Sequence, residues 1–245
     1  MSYRQELETA KKAALAAGQI LVEQKNNLNK SIFSSNTDIK LEADIVAEKL
    51  IKEILIDETS FPILAEESGQ SSDQLSNIFW VVDPLDGTAN YSRNIPICCV
   101  SIALIKNMEP VLGVIYDFSN NDLYEGSVNT SAMQNGLEIK VSDISNQGEG
   151  ILITGLPNKT DYSDEALLKM VKDFQGWRKV RMIGSAAIGS VYIASGKADV
   201  YKESRTYLWD VAAGAAIVQA AGGTALIANQ NEDFQVDVYF SNSRI

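Results

Sequence analysis

Residues 80–91 read WVVDPLDGTANY, which sets two carboxylates, Asp83 and Asp86, three positions apart around Pro84 at the end of an apolar run. Two further acidic stretches also end apolar runs: Glu66 and Glu67 in LAEESG, and Asp210 in YLWDVAAG. Each alone has an ordinary structural role. Asp86 beside Gly87 can open a turn, Asp210 can cap the helix that follows it, and EESG can be a solvated loop. Taken as a set they point to chemistry. Carboxylates about 4 Å apart, at an effective dielectric near 20, repel by about 4 kcal/mol per pair. Such a cluster must take up protons or hold a divalent cation. Mg²⁺ suits the donors, being a hard ion that takes oxygen ligands, keeps several waters and accepts phosphate oxygens. Pro84 fixes φ and removes a donor, which predicts a turn between Asp83 and Asp86 with the Leu85 carbonyl facing the same ion. Residues 87–90 are expected to begin a helix whose free N–H groups draw an anion, with the Thr88 hydroxyl beside it. Metal, anion cradle and hydroxyl are the parts of metal-assisted phosphate-ester hydrolysis.

The elements that must carry these groups follow from periodicity. Residues 4–25 space Leu7, Ala10, Ala14, Gly18 and Leu21 as one face of a helix, and 43–57 do the same with Ala47, Leu50, Ile51 and Ile54. Between them lies a loop rich in Asn and Ser, NNLNKSIFSSNTD. IFWVVD reads as a buried strand ending at Asp83, and ICCVSIALI, PVLGVIYDF and DLYEGSV as a meander with SNND as a turn. Farther on, GILITG, KVRMIG and ADVYKE alternate with helical stretches at 163–174, 185–195 and 209–221, an α/β pattern. The expected organisation is an N-terminal α+β half, 1–140, with an antiparallel sheet and most metal ligands, packed tightly on a C-terminal α/β half, 141–245, that completes the site.

Composition narrows the function. The 245 residues are 45% hydrophobic and 22% charged, a globular balance. A net charge of −11 argues against a nucleic-acid or anionic-membrane partner, which would need a cationic face. There is no histidine, which excludes Ser-His-Asp and Cys-His catalysis and His-ligated zinc. Cys98 and Cys99 are adjacent, so their side chains should point to opposite faces of a strand and stay reduced, as in a cytoplasmic protein. No apolar stretch approaches the roughly 20 residues that span a bilayer.

The same motifs resemble the inositol monophosphatase family. WVVDPLDGTANY matches its W-x-x-D-P-x-D-G-T-x-N-[FY] signature, and YLWDVAAG with QAAGG matches its second, W-D-x-A-A-G leading to E-A-G-G. LAEES is similar to the family's G-E-E-S, and NGLEIKVS, IGSAA and ADVYKES follow in the family's order. The likeness implies a layered αβαβα sandwich of the sugar phosphatase type and a Mg²⁺-dependent, lithium-sensitive phosphatase that works as a homodimer on a small phosphorylated substrate. Residue by residue it implies that Glu66, Asp83 and the Leu85 carbonyl hold one ion and that Asp83, Asp86 and Asp210 hold a second. A third ion leans on Glu66 and waters. Thr88 and Glu66 correspond to the groups that orient the attacking water, and Asp44 to an acid that assists Thr88. Asp86, Gly87 and Thr88 match positions on the phosphate side; Gly184, Ser185, Ala186, Glu203 and Asp210 match those touching the alcohol. Ala220, Ala65 and Leu41 depart from the family's usual Glu, Gly and Thr, and none of these is a metal ligand. Inositol-1-phosphate is the first expected substrate. A 3'(2'),5'-bisphosphate nucleotidase, a fructose-1,6-bisphosphatase and a non-catalytic binder of sugar phosphates or cations are the alternatives.

Overall fold

A computed structural model describes residues 3–35, 39–72, 75–156 and 162–245. Phe79 and Val81 alternate along one strand with Trp80 and Val82, and the two pairs enter different cores. A strand buried on both faces is written as an unbroken apolar run, which is why IFWVV shows no polar alternation. Cys98 and Cys99 obey the same rule: both are free and buried, one in each core.

The larger sheet runs from Leu137–Glu138 through Met133–Gln134, Asp122–Ser127, Glu109–Asp117, Cys99–Lys106 and Ile78–Asp86 to Ile63–Ala65 and Gly69–Gln70. Only Ile63–Ala65 pairs in parallel, with Ile78–Asp86. Helices Arg4–Glu23 and Glu42–Glu58 cover its outer face through Ala10, Ala14, Leu21, Ala47 and Ile51. The smaller sheet orders Lys179–Arg181, Ile151–Thr154, Val200–Tyr207, Gln235–Ser241 and Thr224–Ala228, its first three strands parallel and the rest antiparallel.

Helices Ala186–Ala194 and Leu208–Ala220 lie between the two sheets, sharing a core with Phe79 and Ile115 on one side and Tyr201 and Phe240 on the other. Both are apolar all round, as a helix buried on every side must be. Gly113 makes the approach possible: a Cβ there would stand 2.1 Å from the Ala213 carbonyl oxygen. Helix Asp164–Gln175 covers the outer face of the smaller sheet through Phe174, against Leu152, Trp177 and Val200. The molecule is an αβαβα sandwich.

Three expectations are corrected. The stretch expected as an Asn/Ser loop, 26–38, contains most of a short helical turn, Lys25–Leu28, and the strand Ser31–Ser34, which forms a hairpin with Ile39–Leu41 just beyond it; residues 36–38 lie outside the described residues. The strand expected to stop at Asp83 continues to Asp86. Strands Thr224–Ala228 and Gln235–Ser241 complete the smaller sheet without having been expected.

Candidate active site

The stretch DPLD is a β-bulge rather than a turn. Asp83 pairs with Ser101 and Asp86 with Cys99, so three steps on one strand oppose two on its neighbour. Pro84, which could not donate to a regular ladder, is accommodated at the irregularity. Residues three apart face opposite sides of a regular strand, and one extra residue brings them to the same side. The device recurs across the cleft. Glu203 pairs with Val238 and Thr206 with Val236, again three steps against two, with Arg205 at φ 59° inside the bulge. Each sheet therefore presents a bulged pair, Asp83/Asp86 and Glu203/Thr206, to the space between them.

Helix starts hold the other acids. Asp44 is the third residue of helix Glu42–Glu58, and its Oδ2 accepts from the Leu41 N–H at 2.7 Å. Asp210 is the third residue of Leu208–Ala220, and its Oδ2 accepts from the Tyr207 N–H at 2.9 Å and the Thr206 hydroxyl at 2.7 Å. Asp210 is thus not the N-cap itself; it reaches back to the cap residue, the reciprocal half of a capping box. Asp86 joins the two halves of the chain. Its Oδ2 accepts from the Ser185 hydroxyl at 2.6 Å and the Ala187 N–H at 2.7 Å, at the start of helix Ala186–Ala194. Glu66 follows strand Ile63–Ala65 and is fixed beside Asp83 by its own N–H, which donates to the Val82 carbonyl at 3.1 Å.

Gly87 has φ 89° and caps the five-residue helix Thr88–Ser92. A side chain there would be strained by that φ and would meet the Ile97 carbonyl oxygen at 2.7 Å. The Thr88 hydroxyl lies 3.0 Å from both Asp44 Oδ1 and the Leu85 carbonyl oxygen. With one proton for two acceptors it is held at a fixed point between them.

Charge is the site's main feature. Burial pushes the Asp86 carboxyl up to about 6, against hydrogen bonds from Ser185 and Ala187 that pull it down. Asp210 is pushed up to about 7 by burial and then by the charge of Asp86. Asp83 stands well above the carboxylate range through burial, then Glu66, Asp86 and Asp210. Glu66 is raised by enclosure, then by Asp210 and Asp44, but its outer surface is open to solvent, so crowding by the other acids is the better-supported cause. Burial also lifts Asp44 to about 6 and Glu203 to about 7. The Glu66 and Asp83 carboxyls lie close enough to influence each other's ionisation.

Among the described residues no three acidic or thiol groups stand ready as a metal cage. The carboxyls of Asp44, Asp86 and Asp210 accept hydrogen bonds from protein donors instead. The donor set nonetheless fits Mg²⁺: hard oxygens only, several of them buried, with burial and one another as the leading influences on their ionisation. The oxygens of Asp86 and Asp210 not bonded to the helix starts would be the ones to take a cation.

Beside the acids is a cavity of about 250 Å³. Asp86, Gly184, Ser185, Ala186, Glu203 and Asp210 line it, so six of the expected site residues share one space. Asp44, Glu66, Asp83, Leu85, Gly87 and Thr88 are not among its lining residues; Thr88 is tied to Asp44 and Leu85, and Asp83 interacts with Glu66 and Asp86. Ser185 spends its hydroxyl proton on Asp86, and Glu203 accepts from the Tyr201 hydroxyl at 3.1 Å. Glu67, written next to Glu66, is diverted into an ion pair with Lys40. Thr206 joins the site without a sequence expectation, and Asn90, though part of the first signature, carries no expected role; a hydroxyl four residues before an acid at a helix start is the available sign of Thr206.

The sequence profile of the inositol monophosphatase family matches residues 2–244. A Xylella fastidiosa protein named Nus factor SuhB is 39% identical, over 86% of this chain and 78% of its own length. An Aquifex aeolicus protein named fructose-1,6-bisphosphatase/inositol-1-monophosphatase is 34% identical, over 91% of this chain and 86% of its own. The structure of an inositol monophosphatase from Anabaena (Nostoc) superposes with a TM-score of 0.87 at 32% identity, covering 100% of this chain and 93% of that one. With both signatures in place and the fold in common, the chain belongs to the inositol monophosphatase family, phosphatases that use Mg²⁺.

Proposed function

We propose that the protein is a Mg²⁺-dependent phosphatase that hydrolyses a small polyol or sugar phosphate monoester, inositol-1-phosphate first, by direct attack of water. The observation that carries this reading is the convergence of Glu66, Asp83, Asp86 and Asp210 beside a cavity lined by Gly184, Ser185, Ala186 and Glu203. Glu66, Asp83, Asp86, Asp210 and the Leu85 carbonyl would hold two to three Mg²⁺. When bound, the ions supply positive charge that acidifies water and offsets charge on the phosphate and the leaving oxygen. Thr88 and Glu66 orient the attacking water in line with the scissile bond, and Asp44 fixes the Thr88 hydroxyl from behind. The Gly87 and Thr88 amides hold phosphate oxygens, with Gly87 allowing the close approach. Glu203 accepts hydrogen bonds from hydroxyls of the alcohol, and the loop at Gly184 and Ala186 shapes the space around it. No covalent enzyme intermediate is needed. The family likeness further supports a cytoplasmic, lithium-sensitive homodimer.

The test is phosphate release from inositol-1-phosphate, 3'-phosphoadenosine 5'-phosphate and fructose-1,6-bisphosphate, side by side with and without Mg²⁺. Turnover of the first above the other two, and only with the ion, is expected. Preference for either of the others moves the chain to another branch of the family. A folded protein that binds all three and cleaves none is a non-catalytic binder, and the proposal fails.

A further inference from the structure

Asn90 lies in the signature stretch but touches none of the acids described above, and its contacts cross the molecule. Its Nδ2 donates to the Ile97 carbonyl at 2.8 Å and to the Ile183 carbonyl at 2.8 Å, with the Gly184 carbonyl oxygen at 3.2 Å. An amide has two N–H groups. One serves Ile97 on its own half of the chain; the other is shared between two successive carbonyls on the opposite half. Its backbone is fixed too, since the Asn90 carbonyl accepts from the Ile95 N–H at 2.9 Å. The far side of the contact is built to match. Gly184 has φ 71°, and a Cβ there would stand 3.2 Å from Asn90 Nδ2.

The two ends of this bridge sit at different parts of the site. Asn90 is in the helix that begins with Thr88, on the phosphate side. Ile183 and Gly184 line the cavity and lead into Ser185, whose hydroxyl bonds to Asp86. We propose that Asn90 is a positioning residue: it sets the distance between the phosphate side and the 183–186 loop, and so fixes where the alcohol of the substrate sits relative to the scissile bond. This rests on the phosphatase reading above and assigns a residue which that reading leaves without a role. The consequence is selective. An ester whose alcohol is gripped through its hydroxyls depends on the loop's placement; an ester with a flat alcohol lacking hydroxyls and a good leaving oxygen depends on it far less. Displacements near 1 Å at a reacting centre cost up to about 100-fold in rate.

The experiment compares kcat and KM of wild type and Asn90→Ala with inositol-1-phosphate and with 4-nitrophenyl phosphate, both in saturating Mg²⁺. For inositol-1-phosphate kcat/KM should fall roughly 30- to 100-fold, with KM rising, while for 4-nitrophenyl phosphate it should fall by no more than about three-fold. Equal losses on the two esters would make Asn90 a merely structural residue and overturn the assignment, as would no loss on either. If Asn90→Ala does not fold, Asn90→Ser, which shortens the side chain and removes the Nδ2 donors to Ile97, Ile183 and Gly184, must give the same split. A wild type inert on both esters would remove the phosphatase reading and this assignment with it; an active wild type with a parallel loss would remove only this one.

Discussion

Withdrawing Mg²⁺ should destabilise the protein, and by more at pH 8 than at pH 5. Asp44 and Asp86 are nearly solvent-free, at 1% and 9% exposure, and their carboxyls are pushed from the ordinary 3.8 up to about 6. A carboxyl raised in the native state binds its proton more tightly there than in the unfolded chain. Stability from that proton is complete below pH 4 and is lost as pH rises through about 6, by roughly 3 kcal/mol for a shift of about two units. Asp210, pushed up to about 7, extends the loss toward neutrality. On the proposed reading Mg²⁺ would bind the ionised acids, so its stabilising effect should grow over the same range. At about 100 times Kd it adds about 2.7 kcal/mol, which for a chain of this size is about 5–10 °C in Tm. Thermal unfolding followed by circular dichroism, in chelator and in millimolar Mg²⁺ at pH 5 and pH 8, measures both terms. Asp86→Asn is the decisive variant. Its amide oxygen can still accept from Ser185 and Ala187, so at pH 8 in chelator it should melt no lower than wild type while losing turnover and most of the Mg²⁺ shift. A Tm indifferent to Mg²⁺ at pH 8, or an equal shift at both pH values, would refute the reasoning that these acids are arranged for a cation.

Thr88→Ala should lower kcat by about 100-fold with little change in KM if, as proposed, the hydroxyl held between Asp44 and the Leu85 carbonyl acts on the water rather than on the ground-state ester; steady-state kinetics with inositol-1-phosphate check the split. Tyr91→Phe should cost about 1–2 kcal/mol in chemical denaturation and leave kcat in place, since the buried side chain's hydroxyl donates to the Leu21 carbonyl at 2.7 Å rather than to an acid of the site. Millimolar lithium, a small hard cation, should inhibit phosphate release, and an unchanged rate would count against that part of the family likeness.

What could be read from the residues divides along physical lines. The long amphipathic helices Arg4–Glu23 and Glu42–Glu58 and the doubly buried central strands announce themselves because one face, or both, must be apolar. The strand Thr224–Ala228 does not, since its residues are exposed or half-buried and carry little apolar alternation. The hairpin of Ser31–Ser34 with Ile39–Leu41 is held mainly by backbone pairing, and the first of its strands is exposed throughout, so composition suggested a loop. The acids themselves were visible in type and spacing. How they are aimed was not: a bulge depends on pairing with a second strand, and the Pro84 that suggested a turn is equally at home in one. Glu66 and Glu67 look equivalent until Lys40, brought in by the hairpin, pairs with one of them. Asn90 was hidden for the same reason, because its partners lie 93 and 94 residues away.

The two bulged strands also explain why the site needs both sheets. Asp86 gives one oxygen to the start of helix Ala186–Ala194, and Asp210 gives one to Tyr207 and Thr206 at the start of Leu208–Ala220. Each carboxylate thereby anchors a helix of the middle layer with one oxygen and leaves the other outside that contact, and both residues line the cavity. A carboxylate held this way loses little further freedom on binding an ion, because its rotamer is already fixed by a helix that is itself buried on every side. The arrangement has a cost, since charge repulsion among the acids must be balanced by protons or cations in every state of the folded chain. It follows that replacing Ser185 by Ala should loosen Asp86 without removing any carboxylate oxygen, weakening Mg²⁺ binding while the net charge of the site stays the same. Calorimetric titration of Ser185→Ala with Mg²⁺ at pH 8 measures this, and an affinity equal to that of wild type would mean that the Ser185 hydroxyl contributes nothing to the ion's hold beyond what the Ala187 N–H supplies.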